Sequence, residues 1–322
     1  MVEINKLNAR IFSKLGQSGT TFGIGLFEIL KKHPEIVVLS SDMSRPAGLD
    51  RFKTMHPDMF YNVGIAEQNL IGIASGMASE GKKVIATAQA AFISMRSFEQ
   101  IRQYMGYMNS DIVAIGINSG FALNFFGNSH YAIEDIAIMR SIPGLTIISP
   151  SDAGQAAKAL ESAINIDAPV YIRLTGTLNC PIVYKEDYEF EIGKAKLVKD
   201  GNDITIFATG SMVYNSILAS DILEQEGLSA RVIDMHTIKP LDIDILLKCT
   251  SSELFVSVEE HNIIGGLGSA ISEFLASDRK LPKLLRLGVM DTFSHPGEYA
   301  YLLEQNRLTP QLLAEDILIN FK

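Results

Sequence analysis

Short runs of β-branched and other apolar residues alternate along the chain with longer segments in which apolar positions recur every three or four residues. A strand buried on both faces needs an uninterrupted apolar run and a surface helix needs only a stripe, so this alternation predicts β/α units on a mostly parallel sheet. In the first half it predicts strands over 36–39, 83–87, 112–117, 146–149 and 170–174, with helices over 21–32, 64–79, 92–108, 131–141 and 153–164. At 177–193 the texture changes. TLNCPIVYKEDYEFEIG carries a proline and a charge cluster without a helical period, and reads as an interdomain connection. A second cycle follows, with strands over 204–208, 230–234, 254–258 and 284–287 and helices over 212–226, 243–248, 266–276 and 310–320. The expected fold class is α/β: two consecutive parallel-sheet three-layer α/β/α domains, residues 1–185 and 186–322.

The length of 322 residues suits two domains, since single cores usually stop growing near ~250 residues. A composition 47% hydrophobic and 20% charged excludes disorder. The net charge of −9 argues against nucleic acid as a partner, because that affinity rests on neutralising phosphates with Lys and Arg. The opening MVEINKLNARIFSKLGQ lacks a basic segment followed by an apolar core, and no run approaches ~18 apolar residues, so a cytoplasmic protein without a membrane partner is expected. Cys180 and Cys249 have no metal-like spacing; reduced structural thiols and no metal site within the chain are expected.

The most informative stretch is NVGIAEQNLIGIASGMASEG, residues 62–81. On a helix Glu67 shares its face with Leu70, Ile71, Ala74 and Ala78, so its carboxylate lies on an apolar stripe. A buried ionised carboxylate without a partner is costly, and such a placement calls for a specific one. The alternative is a carboxylate that decorates the first helical turn, where the dipole and free amides favour it. Gly72 and Gly76 would let a second helix approach closely, as at a subunit seam. Two further segments carry candidate chemistry: VIATAQAAFISMRSFEQIRQ, with Phe92, Met95 and Phe98, and FFGNSHYAIEDIAIMRSIPG, where Asn128 or Ser129 can cap a helix with His130 in its first turn. The positive helix end would disfavour imidazolium, leaving a neutral ring able to exchange protons with a substrate oxygen.

In order and spacing these segments resemble the transketolase family and its relatives, deoxyxylulose-phosphate synthase and the β subunits of 2-oxoacid dehydrogenases. The resemblance implies a pyrimidine-binding domain followed by a transketolase C-terminal domain. It implies thiamine diphosphate as cofactor, with Glu67 of the glycine-any-any-glutamate element hydrogen-bonded to a ring nitrogen of the aminopyrimidine and Ile65 beside it. A carboxyl kept protonated by apolar surroundings could share its proton with that nitrogen. Phe92 and Phe98 match the first and last aromatics of the ring's cradle, and Met95 replaces a middle one. Ordinary core packing is the alternative for each, Phe98 in particular. His130 matches the family's catalytic and substrate-binding histidine.

No Gly-Asp-Gly element is found, and in the family that element belongs to the half that holds magnesium and the diphosphate. The resemblance therefore implies a diphosphate-binding partner subunit and self-association of this chain within a heterotetramer, a homodimer alone being inactive. The substrate channel departs from the family pattern. Gly19 stands where an arginine is common, Arg45 or Pro46 where a serine is expected, Asn118 for a histidine and Phe126 for an aspartate; only Arg173 in YIRLTG keeps the expected basic position. The activity implied is two-carbon ketol transfer from a ketose to an aldose, with a sulfonated or branched sugar among the candidates. The alternatives are a deoxyxylulose-phosphate synthase-like or 2-oxoacid dehydrogenase β-type subunit, and a non-catalytic scaffold. Gly265, Gly266 and Gly268 in VEEHNIIGGLGSAISEFL lack dinucleotide-site spacing and its acidic partner.

Overall fold

The computed structural model describes residues 2–176, 178–276 and 281–321; Thr177, the expected start of the connection, lies outside them. From the first half come strands β1 (Ile36–Ser40), β2 (Phe60–Asn62), β3 (Lys83–Gln89), β4 (Ile112–Ser119), β5 (Thr146–Ile148) and β6 (Val170–Thr175). From the second come β7 (Lys196–Lys199), β8 (Ile204–Ala208), β9 (Ala230–Asp234), β10 (Thr237–Lys239), β11 (Leu254–Asn262) and β12 (Lys283–Val289). The helices before the connection are α1 (Lys6–Thr20), α2 (Leu26–Leu30), α3 (Ser44–Ala47), α4 (Asp50–Met55), α5 (Glu67–Ser79), α6 (Ala90–Met95), α7 (Phe98–Gln100), α8 (Asp135–Arg140) and α9 (Ala153–Ile164). After it come α10 (Met212–Gln225), α11 (Ile243–Lys248), α12 (Leu267–Leu275), α13 (Tyr299–Gln305) and α14 (Pro310–Phe321).

The first sheet runs in the order β10-β5-β6-β4-β3-β1-β2 and the second β12-β11-β8-β9-β7. Each is parallel except at one edge, where β10 pairs antiparallel with β5 and β7 antiparallel with β9. The central strands β1, β4, β6 and β8 are buried almost throughout, as parallel strands covered on both faces must be. Phe22, Leu26, Leu160 and Ile164 pack on one face of the first sheet, and Leu70, Ile71, Ile93, Ile101 and Met139 on the other. The second sheet is likewise covered on both sides, by Val213 and Leu313 on one and Leu246 and Ile271 on the other.

The departures from expectation have local causes. The segment 92–108 is not one helix: Ser94 and Ser97 return their hydroxyls to the carbonyls of Ala90 (2.7 Å) and Ile93 (2.6 Å), and the helix breaks at Ser97. The expected helix over 131–141 begins only at Asp135, because Ala132 pairs with Gly120 in an isolated bridge. α5 starts at Glu67 rather than Gly64, whose φ of +75° puts it in a turn. β10 is absent from the expected strands. Three residues are too few to display an alternation, yet they carry the second half of the chain into the first sheet.

Two buried polar clusters fix the halves together. Arg173 on β6 donates from Nε to Asp135 (2.9 Å) and from Nη2 to the carbonyls of Ala132 (3.0 Å) and Glu260 (2.8 Å), while Tyr171 also donates to Asp135 (2.8 Å). Around Asp234, one carboxylate oxygen accepts from Ser151 (3.0 Å), Gln155 (2.8 Å) and Tyr184 (2.7 Å), and the other has no partner among the described residues. Burial pushes the Asp234 carboxyl up to about 6. An acid whose folded value is raised binds more protons folded than unfolded, so its contribution to stability is full below its ordinary value near ~4 and lost as pH rises through about 6. Asn in its place can still accept all three bonds while never ionising. Between pH 5 and 7.5 the stability of Asp234→Asn is therefore expected to rise relative to the parent by about 1 kcal/mol. Denaturant melts of both proteins across that range check it, and a difference independent of pH would refute it.

Candidate active site

The candidate residues gather beyond the carboxyl ends of β1, β2, β3 and β4, the edge of a parallel sheet where loops open a crevice. The loop after β2 is held rigidly. Asn62 Oδ1 accepts from the amides of Gly64 (3.0 Å) and Asp42 (3.1 Å), and Ser41 donates its hydroxyl to the Gly64 carbonyl (2.7 Å) while accepting from the Ala66 amide (3.0 Å). This clamp delivers Glu67 as the first residue of α5, and the stripe below it is buried at Leu70, Ile71 and Ala74, with Ala78 half-buried. Both readings of Glu67 therefore hold at once: it opens the helix and is only 2% exposed.

Its partner is one that the sequence does not announce. Arg96, just past α6, donates from Nη1 to Glu67 Oε2 at 2.8 Å, so a cation and not apolar surroundings alone meets the carboxylate. The Arg96 guanidinium lies over the Phe92 ring, 4.4 Å from its centre; Phe92 meets the His130 ring edge-on at 5.2 Å, and His130 meets Phe126 at 5.1 Å. Glu67, Arg96, Phe92, His130 and Phe126 thus form one continuous line of contacts. Asn118, at the end of β4 with φ +55°, donates to Gln89 at the end of β3 (3.3 Å).

Other expectations are placed differently. His130 sits in a turn ahead of α8, its Nδ1 2.9 Å from the Ser129 hydroxyl, so the helix-dipole argument for its protonation does not apply. Asn128 caps no helix; it donates to the Ser294 carbonyl (3.0 Å) and ties this loop to the second domain. Arg173 is corrected outright: 1% exposed and committed to Asp135 and two carbonyls, it is a structural hub and not an open anion clamp. Phe98 packs on the core of the first sheet, the alternative weighed for it, whereas Met95 and Ile65 are exposed at the rim. Arg45 is exposed on α3, in the loop whose Ser41 and Asp42 hold the Gly64 turn. Gly19 lies in α1, against the Gly48 turn that follows α3.

The glycines of 265–268 make no phosphate site. The Glu259 carboxylate accepts from the Leu267 (2.7 Å) and Gly268 (2.8 Å) amides, so the chain's own acid fills the start of α12. Cys180 and Cys249 are free and buried. Among the described residues no group of His, Cys, Asp and Glu could hold a metal ion, and no helix is long and apolar enough to cross a membrane.

A buried acid, an aromatic face and a histidine loop thus lie together at the carboxyl edge of the first α/β sheet. The chain belongs to the transketolase family: residues 17–180 match the transketolase pyrimidine binding domain and residues 193–312 the transketolase C-terminal domain. A 6-deoxy-6-sulfo-D-fructose transketolase subunit from Clostridium sp. (strain MSTE9) is 37% identical, over 88% of each chain. An apulose-4-phosphate transketolase subunit from Phocaeicola vulgatus is 36% identical, over 79% of this chain and 81% of its own. Among solved structures, a split-gene transketolase in an inactive beta4 tetramer superposes with a TM-score of 0.86 at 36% identity, over 94% of this chain and 97% of that one.

Proposed function

We propose that this chain is the pyrimidine-side subunit of a thiamine-diphosphate-dependent split transketolase, moving a two-carbon ketol unit from a ketose to an aldose. The observation that carries the reading is Glu67, a carboxylate 2% exposed at the start of α5 and beside the covered face of Phe92. Those residues fit the aminopyrimidine of the cofactor, because the contacts such a ring needs, an in-plane bond to a carboxylate and a stack on an aromatic face, are already made here by a flat cation. Bound thiamine diphosphate supplies the carbon nucleophile and electron sink. This chain's part is to hold and move protons. Glu67 controls the protonation of the ring nitrogen, Phe92 fixes the ring plane with Met95 and Ile65 at the rim, and His130, held between the Phe92 and Phe126 rings, reaches a substrate oxygen for acid–base work.

Magnesium and the diphosphate belong to a partner subunit in this reading, supported by relatives of similar extent that are themselves subunits. The exposed apolar side chains at the rim, Ile65, Phe125 and Phe126, are surface that a partner subunit or a second copy would cover. The assembly proposed is a heterotetramer of two copies of each chain. For the substrate, the departures at Asn118, Phe126 and Arg45 favour a sugar with an unusual tail, and the named activity of the Clostridium relative makes a sulfonated sugar the first to try.

The chain is to be combined with a separately expressed diphosphate-binding subunit, thiamine diphosphate and magnesium, and supplied with ketose phosphates or 6-deoxy-6-sulfo-D-fructose plus an aldose. The expected product is an aldose shortened by two carbons beside a ketose lengthened by two. Turnover of pyruvate or branched 2-oxoacids with a lipoyl acceptor, and none of sugars, would replace this reading with the dehydrogenase one. No partner-dependent binding of cofactor would leave only a scaffold.

A further inference from the structure

One side chain covers both halves of the proposed ring site. Arg96 Nη1 donates to Glu67 at 2.8 Å while its guanidinium stands 4.4 Å from the centre of the Phe92 ring. A guanidinium is a flat, delocalised cation that stacks on aromatic faces and donates in-plane bonds to carboxylates. A heterocycle bonded to the Glu67 carboxylate and laid on that face of Phe92 would fall in the space the guanidinium fills, so the two cannot be held there together.

The surroundings of Arg96 suit a side chain that can leave. It remains 47% exposed, and Glu67 is the only hydrogen-bond partner of its guanidinium among the described residues. Its backbone is anchored independently: the amide donates to the Phe92 carbonyl (2.9 Å), and its own carbonyl accepts from Gln68 (3.2 Å). The side chain can therefore rotate outward without moving α6. Arg173 is the opposite case, with its donors spread over a buried carboxylate and two carbonyls and no route to water.

We propose that Arg96 is a placeholder: in the free subunit it occupies the position of the cofactor's aminopyrimidine, keeping Glu67 paired and Phe92 covered, and it swings into solvent as the ring enters. The inference rests on the function proposed above. Its physical content is that closure by Arg96 hides the site for most of the time, and the apparent affinity for the cofactor falls by the open fraction. The same pair keeps a buried carboxylate from standing alone while no cofactor is present.

The test is a calorimetric titration of thiamine diphosphate, with magnesium, into the assembled complex carrying parent, Arg96→Ala or Arg96→Lys chains, together with thermal melts of each free chain. Arg96→Ala is expected to tighten the apparent Kd about three- to tenfold, corresponding to an open fraction of roughly 10–30% in the parent. Lys still pairs with Glu67 but has no flat group to lay on Phe92, so Arg96→Lys should fall between the two. The free Arg96→Ala chain should melt below the parent because Glu67 loses its partner. Cofactor binding by Arg96→Ala that is equal to or weaker than the parent's, or an unchanged melt of the free chain, overturns the placeholder and makes Arg96 a fixed or idle residue. A parent complex that binds no thiamine diphosphate overturns the proposed function itself, and is distinguished by failing before any substitution is made.

Discussion

Glu67→Ala is expected to lower ketol transfer by the reconstituted enzyme about a hundred- to ten-thousand-fold, the span ordinarily lost when a positioned acid–base group is removed. The circular dichroism of the chain and its assembly with a partner should persist, because the stripe of Leu70, Ile71 and Ala74 beneath α5 is untouched. Glu67→Gln separates charge from shape. The amide can still bond a ring nitrogen but cannot pass a proton, so it should fall nearly as far if proton control is the role, and far less if Glu67 only anchors the ring. Full turnover by Glu67→Ala would remove the acid from the chemistry altogether.

The second large effect concerns stability. Asp135 is fully buried and accepts from both Arg173 and Tyr171, so Asp135→Ala leaves a buried guanidinium between the domains without its paired carboxylate. Breaking such a pair from one side typically costs about 3–5 kcal/mol, far more than the net worth of the pair against an apolar replacement. The denaturant midpoint should fall accordingly, and the double variant Asp135→Ala with Arg173→Met should recover part of the loss. A loss below about 1 kcal/mol in the single variant would mean that water enters the cluster and that the domains are joined by other contacts.

Glu67, Phe92 and His130 are legible in the sequence because each sits in a segment whose order and neighbours repeat a known pattern, and because a carboxylate on an apolar stripe is conspicuous by itself. The regular strands are legible for a simpler reason: ITIFA is an uninterrupted apolar or β-branched run of the kind a doubly covered sheet demands, and VYIRLT is broken only by Arg173. Arg96 is not, although it lies between Met95 and Phe98. A pairing across 29 positions is set by where β3 ends and α6 turns, and no spacing within one helix reveals it. Ser41 is hidden for the same reason, since its role is to grip a loop 23 residues away. Arg173 misleads because a basic residue at a strand end looks alike whether it faces a channel or a carboxylate; the deciding neighbour, Asp135, arrives from a helix 38 positions earlier.

The visit of β10 to the first sheet has a consequence for anyone dividing the protein. A truncation that keeps residues 1–185 removes Thr237–Lys239 and bares the flank of β5, with its row of amides and carbonyls unmet. Lys239 leaves with it, uncapping the carbonyls of Arg140 (2.9 Å) and Ile142 (2.5 Å) behind α8. Such a fragment would offer a ready template for stacking against its own kind, so the two halves are stitched into one folding unit although they look separable on paper.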